Sequence, residues 1–517
     1  MAAVGVLEIL IVLIVAASGA DIGQARAPSA ADIMPQGCFA FVELRPVPKW
    51  DAIMKSVSNK KMADHVRTMK GQMLGKLARG LQCEPQELEA LFDKVDGAAF
   101  GMWELAREKP KFAVVITFET AGDAKRLSDL LAGKAVRTMP TPWGTQHAYR
   151  DGLFIGHAER RIILAPGPGE MDTEALDAVG SLTMSPGGGL TDNPEFMAVR
   201  DRVQADRPAV GYLNARRLIN QMHSGAPEFQ QRELALIDQL FDLQNVGGAM
   251  LGLRRDGNLI MADVVADAPG NRVYAMVQGP PQHVDVLNYC PAGSVLAAAA
   301  DVPQLADRWG QVNAYIEGLT GGQWSENRRK MKNQIGIAPD EELMELLTGD
   351  IGYAIRGADG GGSGLDLMNM AFLLGFRTSE DARTTMDTLK SKTLPNQQFQ
   401  QKQVGPATLV WTSAKNMAYA IHEGMLITGP SPGPVEASIK AGTSAKNVSS
   451  AGVQGRLLSA LPDRASGKAV LDLMAVTRGQ LRMLPGQPEN LWVAAAILLP
   501  EQGPHAQVLL HAPLMEN

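Results

Sequence analysis

At 517 residues the chain is too long for one hydrophobic core to serve, so two or more domains are expected. With 45% hydrophobic and 20% charged residues, it has the composition of a folded globular protein rather than a disordered one. A net charge of −6 without a dense Lys/Arg block argues against a nucleic-acid partner, and 5% aromatics leave little for stacking or sugar-binding platforms.

The N-terminal run Val4 to Ala20 is apolar apart from Glu8, and small residues follow at Ala16, Ala17, Ser18 and Ala20. It is short for a membrane span and has the character of a signal-peptide core. Ala25-Arg26-Ala27 is one cleavage site of the A-x-A kind, but Pro28 follows it, so cleavage after Ala20 or Ala25 fits as well. The first basic residue is Arg26, on the wrong side of the apolar run for the usual orientation. Either a basic n-region precedes the given start, or residues 4–20 form an uncleaved anchor that associates with a membrane. No cysteine ends the run, so lipoprotein processing is not indicated. Export to the periplasm or cell surface is the expectation, with residues 1–27 as signal peptide or anchor.

Two series of blocks then match in the same order. Met34-Pro-Gln-Gly-Cys-Phe-Ala-Phe-Val, running on to Val47-Pro48, pairs with Cys290-Pro-Ala-Gly-Ser-Val-Leu-Ala-Ala, running on to Val302-Pro303. Glu87 to Phe92, ending at Gly97, pairs with Glu342 to Leu347, ending at Gly352. Phe112 to Thr120 pairs with Met370 to Thr378, and Asp123-Ala124 and Asp381-Ala382 follow. Such order with little drift is the signature of an internal duplication.

In chain order, Phe39 to Arg45 alternates and predicts a strand. Trp50 to about Leu81 has helical apolar spacing, and Pro85 to Lys94 predicts a second helix with proline in its first turn. Gly97 to Leu105 and Lys111 to Glu119 predict an antiparallel pair. Thr120 and Thr378, each with an acid three residues on, are helix N-caps. Arg150-Asp-Gly-Leu153 and Arg255-Asp-Gly-Asn258 predict hairpin turns, the second between strands at 246–254 and 259–265. The later counterparts are strands at 491–499 and 505–511. The fold class expected is α+β, as two tandem homologous domains, each a mainly antiparallel sheet with helices covering one face. The domains are 28–266 and 289–517, joined by a Pro/Gly-rich linker at 267–288. The glycine-rich stretch 357–364 is a hairpin tip, not a phosphate cradle, since no Lys-Ser/Thr follows it.

Each candidate site has a plainer reading. Gly429-Pro-Ser-Pro-Gly433 matches a nucleophile elbow around Ser431, but a proline removes the N–H that the oxyanion hole needs, and the matching 165–169 segment lacks serine. Met62, His65, Met69 and Met73 lie on one helix face, as Cu(I) ligands or as a buried stripe of adaptable side chains. His157 and His422 end strands that the sequence treats as equivalent, for binding or pH sensing or simply as solvated hairpin ends. Asn447-Val-Ser449 fits a glycosylation acceptor. Cys38, Cys83 and Cys290 lack any CxxC spacing and allow at most one disulfide; three free thiols packed as small hydrophobes is the plainer reading. No residue is assigned a catalytic, cofactor-binding or metal-binding role, and no cofactor is expected.

A signal segment, followed in each repeat by a Pro-x-Gly opening, a strand and Val-Pro (Pro35 to Pro48, Pro291 to Pro303), resembles an uncharacterised bacterial envelope family, domain of unknown function 3352. The Phe-x-Thr-x-x-Asp-Ala helix starts and the long helix after each Val-Pro share the pattern. The resemblance implies an extracytoplasmic, non-enzymatic protein and brings no catalytic residues. The function expected is a non-catalytic binding or scaffolding module of the cell envelope, with an apolar or lipid ligand suggested by the 25 methionines and the aliphatic content. The alternative is an envelope hydrolase whose site assembles only in the fold.

Overall fold

The computed structural model describes residues 29–511 except 48, 50–59, 105–109, 150–151, 168–172, 186, 204–206, 226–234, 236, 240–241, 257–258, 269, 339–341, 358–366, 415–416, 445 and 478–490. The chain is mixed α+β, built on antiparallel sheet and helices. It resolves into two compact units, the first running to Asn271 and the second from Arg272 to Pro513.

The first unit contains β1 (Ala40–Leu44), α1 (Lys60–Leu81), α2 (Pro85–Phe92), β2 (Val95–Glu104), β3 (Lys111–Phe118) and α3 (Ala121–Ala132). There follow β4 (Arg137–Thr141), β5 (Gly144–Ala148), β6 (Leu153–Ala158), β7 (Arg161–Pro166), α4 (Glu174–Met184) and α5 (Pro194–Arg200). The unit ends with β8 (Ala209–Asn214), α6 (Ala215–Gly225), β9 (Gly248–Asp256) and β10 (Leu259–Ala266). Its strands lie in the order β4-β5-β6-β7-β3-β2-β1-β8-β9-β10, every neighbour antiparallel. The strands expected at 39–45, 97–105, 111–119, 246–254 and 259–265 are present within a few residues of those bounds.

Helices cover both faces of this sheet, not one. Leu74 and Ala78 of α1, Leu88 and Leu91 of α2, and Ala124 and Leu127 of α3 pack with Ala98, Val114, Ile155 and Ile162 on one side. Leu176 and Val179 of α4 and Phe196 and Val199 of α5 pack with Ala99, Val115, Phe154 and Ile163 on the other. Successive strand side chains point to opposite faces. The adjacent pairs Val114-Val115 and Ile162-Ile163 are all at most 5% exposed, so both faces must be covered.

The second unit opens on a short helical turn, Arg272–Ala275, and β11 (Gln282–His283), then has β12 (Ser294–Asp301), α7 (Leu305–Thr320), α8 (Gln323–Ile335), β13 (Leu347–Arg356), β14 (Met370–Phe376) and α9 (Ser379–Thr393). It continues with β15 (Phe399–Val404), β16 (Ala407–Thr412), β17 (Ala418–His422), β18 (Met425–Gly429), α10 (Pro432–Gly442) and α11 (Gly452–Ala460). The last strands are β19 (Arg464–Ala465), β20 (Gly467–Asp472), β21 (Trp492–Leu498) and β22 (His505–His511). The sheet order is β15-β16-β17-β18-β14-β13-β12-β20-β21-β22, again antiparallel throughout, with the same connectivity as the first unit. β11 pairs separately with β19. In the 267–288 segment Tyr274, Met276, Val284, Val286 and Leu287 are buried.

Candidate functional site

The first unit holds a cavity of about 850 Å³ against the sheet face that α5 covers. That is within the size range of small-molecule sites. Alternation along β1 sends Phe41, Glu43 and Arg45 to this face. Val210 of β8 and Met250 of β9 complete the floor, and α5 with the segment after it supplies Phe196, Arg200, Arg202 and Val203. Asn193 caps α5, its Oδ1 accepting from the Glu195 and Phe196 N–H groups, and Pro194 in the first turn fixes where that helix begins. Phe196 is held edge-on between Phe41 and Tyr212, with ring centroids 6.0 and 5.0 Å away.

The charges at this cavity are unevenly matched. The Glu43 carboxylate accepts hydrogen bonds from the Ser29 hydroxyl and the Ala30 N–H, each at 2.7 Å. Arg207 is paired with Asp263 of β10. Arg202 Nη1 donates to the Ala266 carbonyl at 2.9 Å. The Arg200 guanidinium lies 5.8 Å from the Phe196 ring centroid, with Nη1 4.0 Å from the Met197 sulfur, and makes no ion pair among the described residues.

None of these residues stood out as a site in the sequence. The signals were nonetheless present, because Glu43 and Asp263 are single charges inside otherwise apolar strands. Arg200, Arg202 and Arg207 fall close together at the end of a short helix and just beyond it.

The residues that did stand out are not brought together. Ser431 sits directly before α10 in ordinary extended backbone, φ −148° and ψ 159°, without the strain a nucleophile elbow requires. Its hydroxyl donates to the Met368 carbonyl at 3.0 Å. The backbone of Met62, His65, Met69 and Met73 lies in α1, but their side chains lie outside the described residues. Among the described residues no cluster of three or more His, Cys, Asp or Glu could hold a metal ion. Asn447 is buried, and its Oδ1 accepts from the Ser450 N–H, which does not suit a glycan acceptor.

All three cysteines are free thiols. Burial pushes Cys38 and Cys290 up to about 12, so neither forms a reactive thiolate.

His157 and His422 are not equivalent. Ala158 pairs with Arg161 across one two-residue turn, and His422 pairs with Met425 across the other. The counterpart of His422 is therefore Ala158, and a one-residue slip sends the two imidazoles to opposite faces. His157 Nε2 is 3.1 Å from the Glu159 carbonyl at its own turn. His422 Nδ1 is 3.0 Å from the Tyr289 hydroxyl, with the rings edge to face at 5.9 Å.

A Ser–His pair does converge from distant positions. Ser128 Oγ is 3.0 Å from His147 Nε2, and Thr138 Oγ1 is 2.9 Å from Nδ1. The group that would orient the imidazole is a hydroxyl rather than a carboxylate, and Ser128 and His147 are 4% and 2% exposed. This arrangement satisfies a buried histidine and gives a substrate no access.

Among the described residues no helix is long and apolar enough to cross a membrane. No protein-family model matches the chain, and no curated relative matches it either. The chain is similar to solved structures of TP0453. Crystal forms III and I of that protein are each 11% identical to it, each alignment covering 47% of this chain and 80% of that one, with TM-scores of 0.25 and 0.24.

Proposed function

We propose that this is an exported, non-catalytic binding module of the cell envelope, made of two homologous α+β domains in tandem, and that its first unit holds a ligand with an apolar body. The observation that carries the binding reading is the pocket of about 850 Å³ in which the half-buried Met197 and Val210 lie over the buried Phe41, Phe196 and Met250. A hydrocarbon laid against the thioether and aliphatic side chains of Met197 and Val210 is removed from water there. The matched sequence blocks and the identical strand connectivity support the duplication. The apolar segment before Ala20 and the resemblance to domain of unknown function 3352 support export.

Native mass spectrometry on protein purified from the envelope fraction tests the reading. A retained small molecule on the intact chain is the expected result, and the same spectrum gives the mass of any processed N-terminus. Protein that carries nothing, and that fails to take up a fluorescent alkyl probe, would end the ligand-binding reading.

A further inference from the structure

The cavity has a charge pattern as well as an apolar floor. Four arginines line it, Arg45, Arg200, Arg202 and Arg207, against the two carboxylates Glu43 and Asp201. Glu43 is already engaged by Ser29 and Ala30, Arg207 by Asp263, and Arg202 by a main-chain carbonyl. The half-buried Arg200 is different, for its guanidinium rests on Phe196 and Met197 and no carboxylate among the described residues pairs with it. A guanidinium held beside apolar groups gains more from a charge-assisted hydrogen bond to an anion than from a ring face.

The fold does not require these residues. In the first sheet Leu44 lies opposite Ala209, and in the second Ala300 lies opposite Gly467. The isolated bridges Pro35–Gly189 and Pro291–Asn447 fix the same offset for the segment that follows. At these matching positions the second unit has Leu458 for Arg200, Ala460 for Arg202, Ala465 for Arg207, Ala299 for Glu43 and Gln454 for Phe196. Gln454 is turned inward, its Nε2 donating to the Ser294 carbonyl at 2.7 Å. The same connectivity closes in the second unit without one of these charges, so their presence in the first is not a demand of the sheet.

We propose that the first unit's cavity takes an anionic amphiphile, a single hydrocarbon chain bearing a carboxylate or phosphate head. The chain lies over Val210 and Met197, and the head is held by the Arg200 guanidinium. This rests on the pocket reading above and adds the ligand's charge to it. A cavity of 850 Å³ is far larger than a free phosphate needs, which is why the chain and the head are taken together.

The test titrates the full chain, stripped of bound lipid on a hydrophobic resin, with decanoate, decyl phosphate, decanol and inorganic phosphate by calorimetry. The two amphiphilic anions are expected to saturate at one per chain, at least about tenfold tighter than decanol. Inorganic phosphate alone is expected not to bind. Arg200→Met should reduce both anions to the level of decanol and leave decanol unchanged, while Arg200→Lys should keep most of the preference. Val210→Trp, on a half-buried strand position facing the cavity, should abolish binding of all three chain-bearing ligands.

If decanol binds as tightly as decanoate, or Arg200→Met leaves the anions unaffected, the charge assignment fails and the apolar pocket stands. If nothing with a chain binds, or Val210→Trp changes nothing, the pocket reading fails as well. If inorganic phosphate binds as tightly as decyl phosphate, the amphiphile assignment is overturned in favour of a small anion.

Discussion

Arg207 and Asp263, 56 residues apart in the chain, meet in a buried ion pair, with Nε at 2.6 Å and Nη2 at 2.5 Å from the same carboxylate oxygen. Both side chains are 2% exposed. Removing two such charges from water is costly, and the pair offsets that cost only while both partners are present. Asp263→Ala leaves the guanidinium buried beside an alanine and should lower stability by about 3–5 kcal/mol. The double variant Arg207→Met/Asp263→Leu should lose less than the sum of the single changes, as read from urea midpoints. Strict additivity would mean that the two charges do not depend on each other.

His147 should make folding sensitive to mild acid. Burial, and next the charge of His157, hold its pKa below the ordinary 6.5, while Asp129 opposes the shift. The folded state therefore prefers the neutral imidazole and the unfolded chain takes up a proton first. This contribution is complete above about pH 6.5 and diminishes as pH falls from there towards the depressed folded value. Urea midpoints measured between pH 5 and 7.5 should fall on acidification, and the fall should be shallower in His147→Gln. An equal slope in both proteins would assign the acid sensitivity to other groups.

The two threonine N-caps provide matched tests, one in each unit. Thr120 Oγ1 accepts from the Asp123 N–H at 3.2 Å and donates to its carboxylate at 2.6 Å. Thr378 and Asp381 do the same at 3.1 and 2.8 Å. Thr120→Ala and Thr378→Ala should each cost about 1 kcal/mol, and replacement by serine should cost less. Equilibrium unfolding followed by circular dichroism measures both.

Trp143 is wedged between two glycines. A Cβ added at Gly180 of α4 would come within 2.3 Å of the indole, and one at Gly156 of β6 within 2.6 Å. The backbone on either side cannot give way without moving the helix off the sheet. Gly180→Ala should destabilise the first unit by about 1–3 kcal/mol, as overpacked cores do. The Trp143 emission should also shift to the red as the ring is pushed from its 7% exposed site. An unchanged spectrum and an unchanged midpoint would show that α4 can slide freely.

Local chemistry is where sequence and structure agree most closely. A threonine N-cap needs only residues three positions apart, an alternating strand only its own pattern, and a proline in a first turn only its fixed φ, so these features were legible in the chain itself. Coverage of both sheet faces was written into pairs such as Val114-Val115, but reading it required knowing that both residues lie in a central strand. The histidines show the limit more sharply. Sequence places His157 and His422 together, yet strand pairing, a property of two segments at once, sets them one residue apart and on opposite faces.

The cavity lay further still from view. Its floor and charges come from β1, α5, β8 and β9, and Asp263 on β10 neutralises Arg207. No periodicity links residues 43, 200, 207 and 263. The sequence determined which segments become strands and helices, because hydrogen bonding and side-chain alternation act over a few residues. The tertiary structure alone decided which isolated charges share a low-dielectric space, because burial and Coulomb interaction depend on distance in the folded molecule and not on separation along the chain.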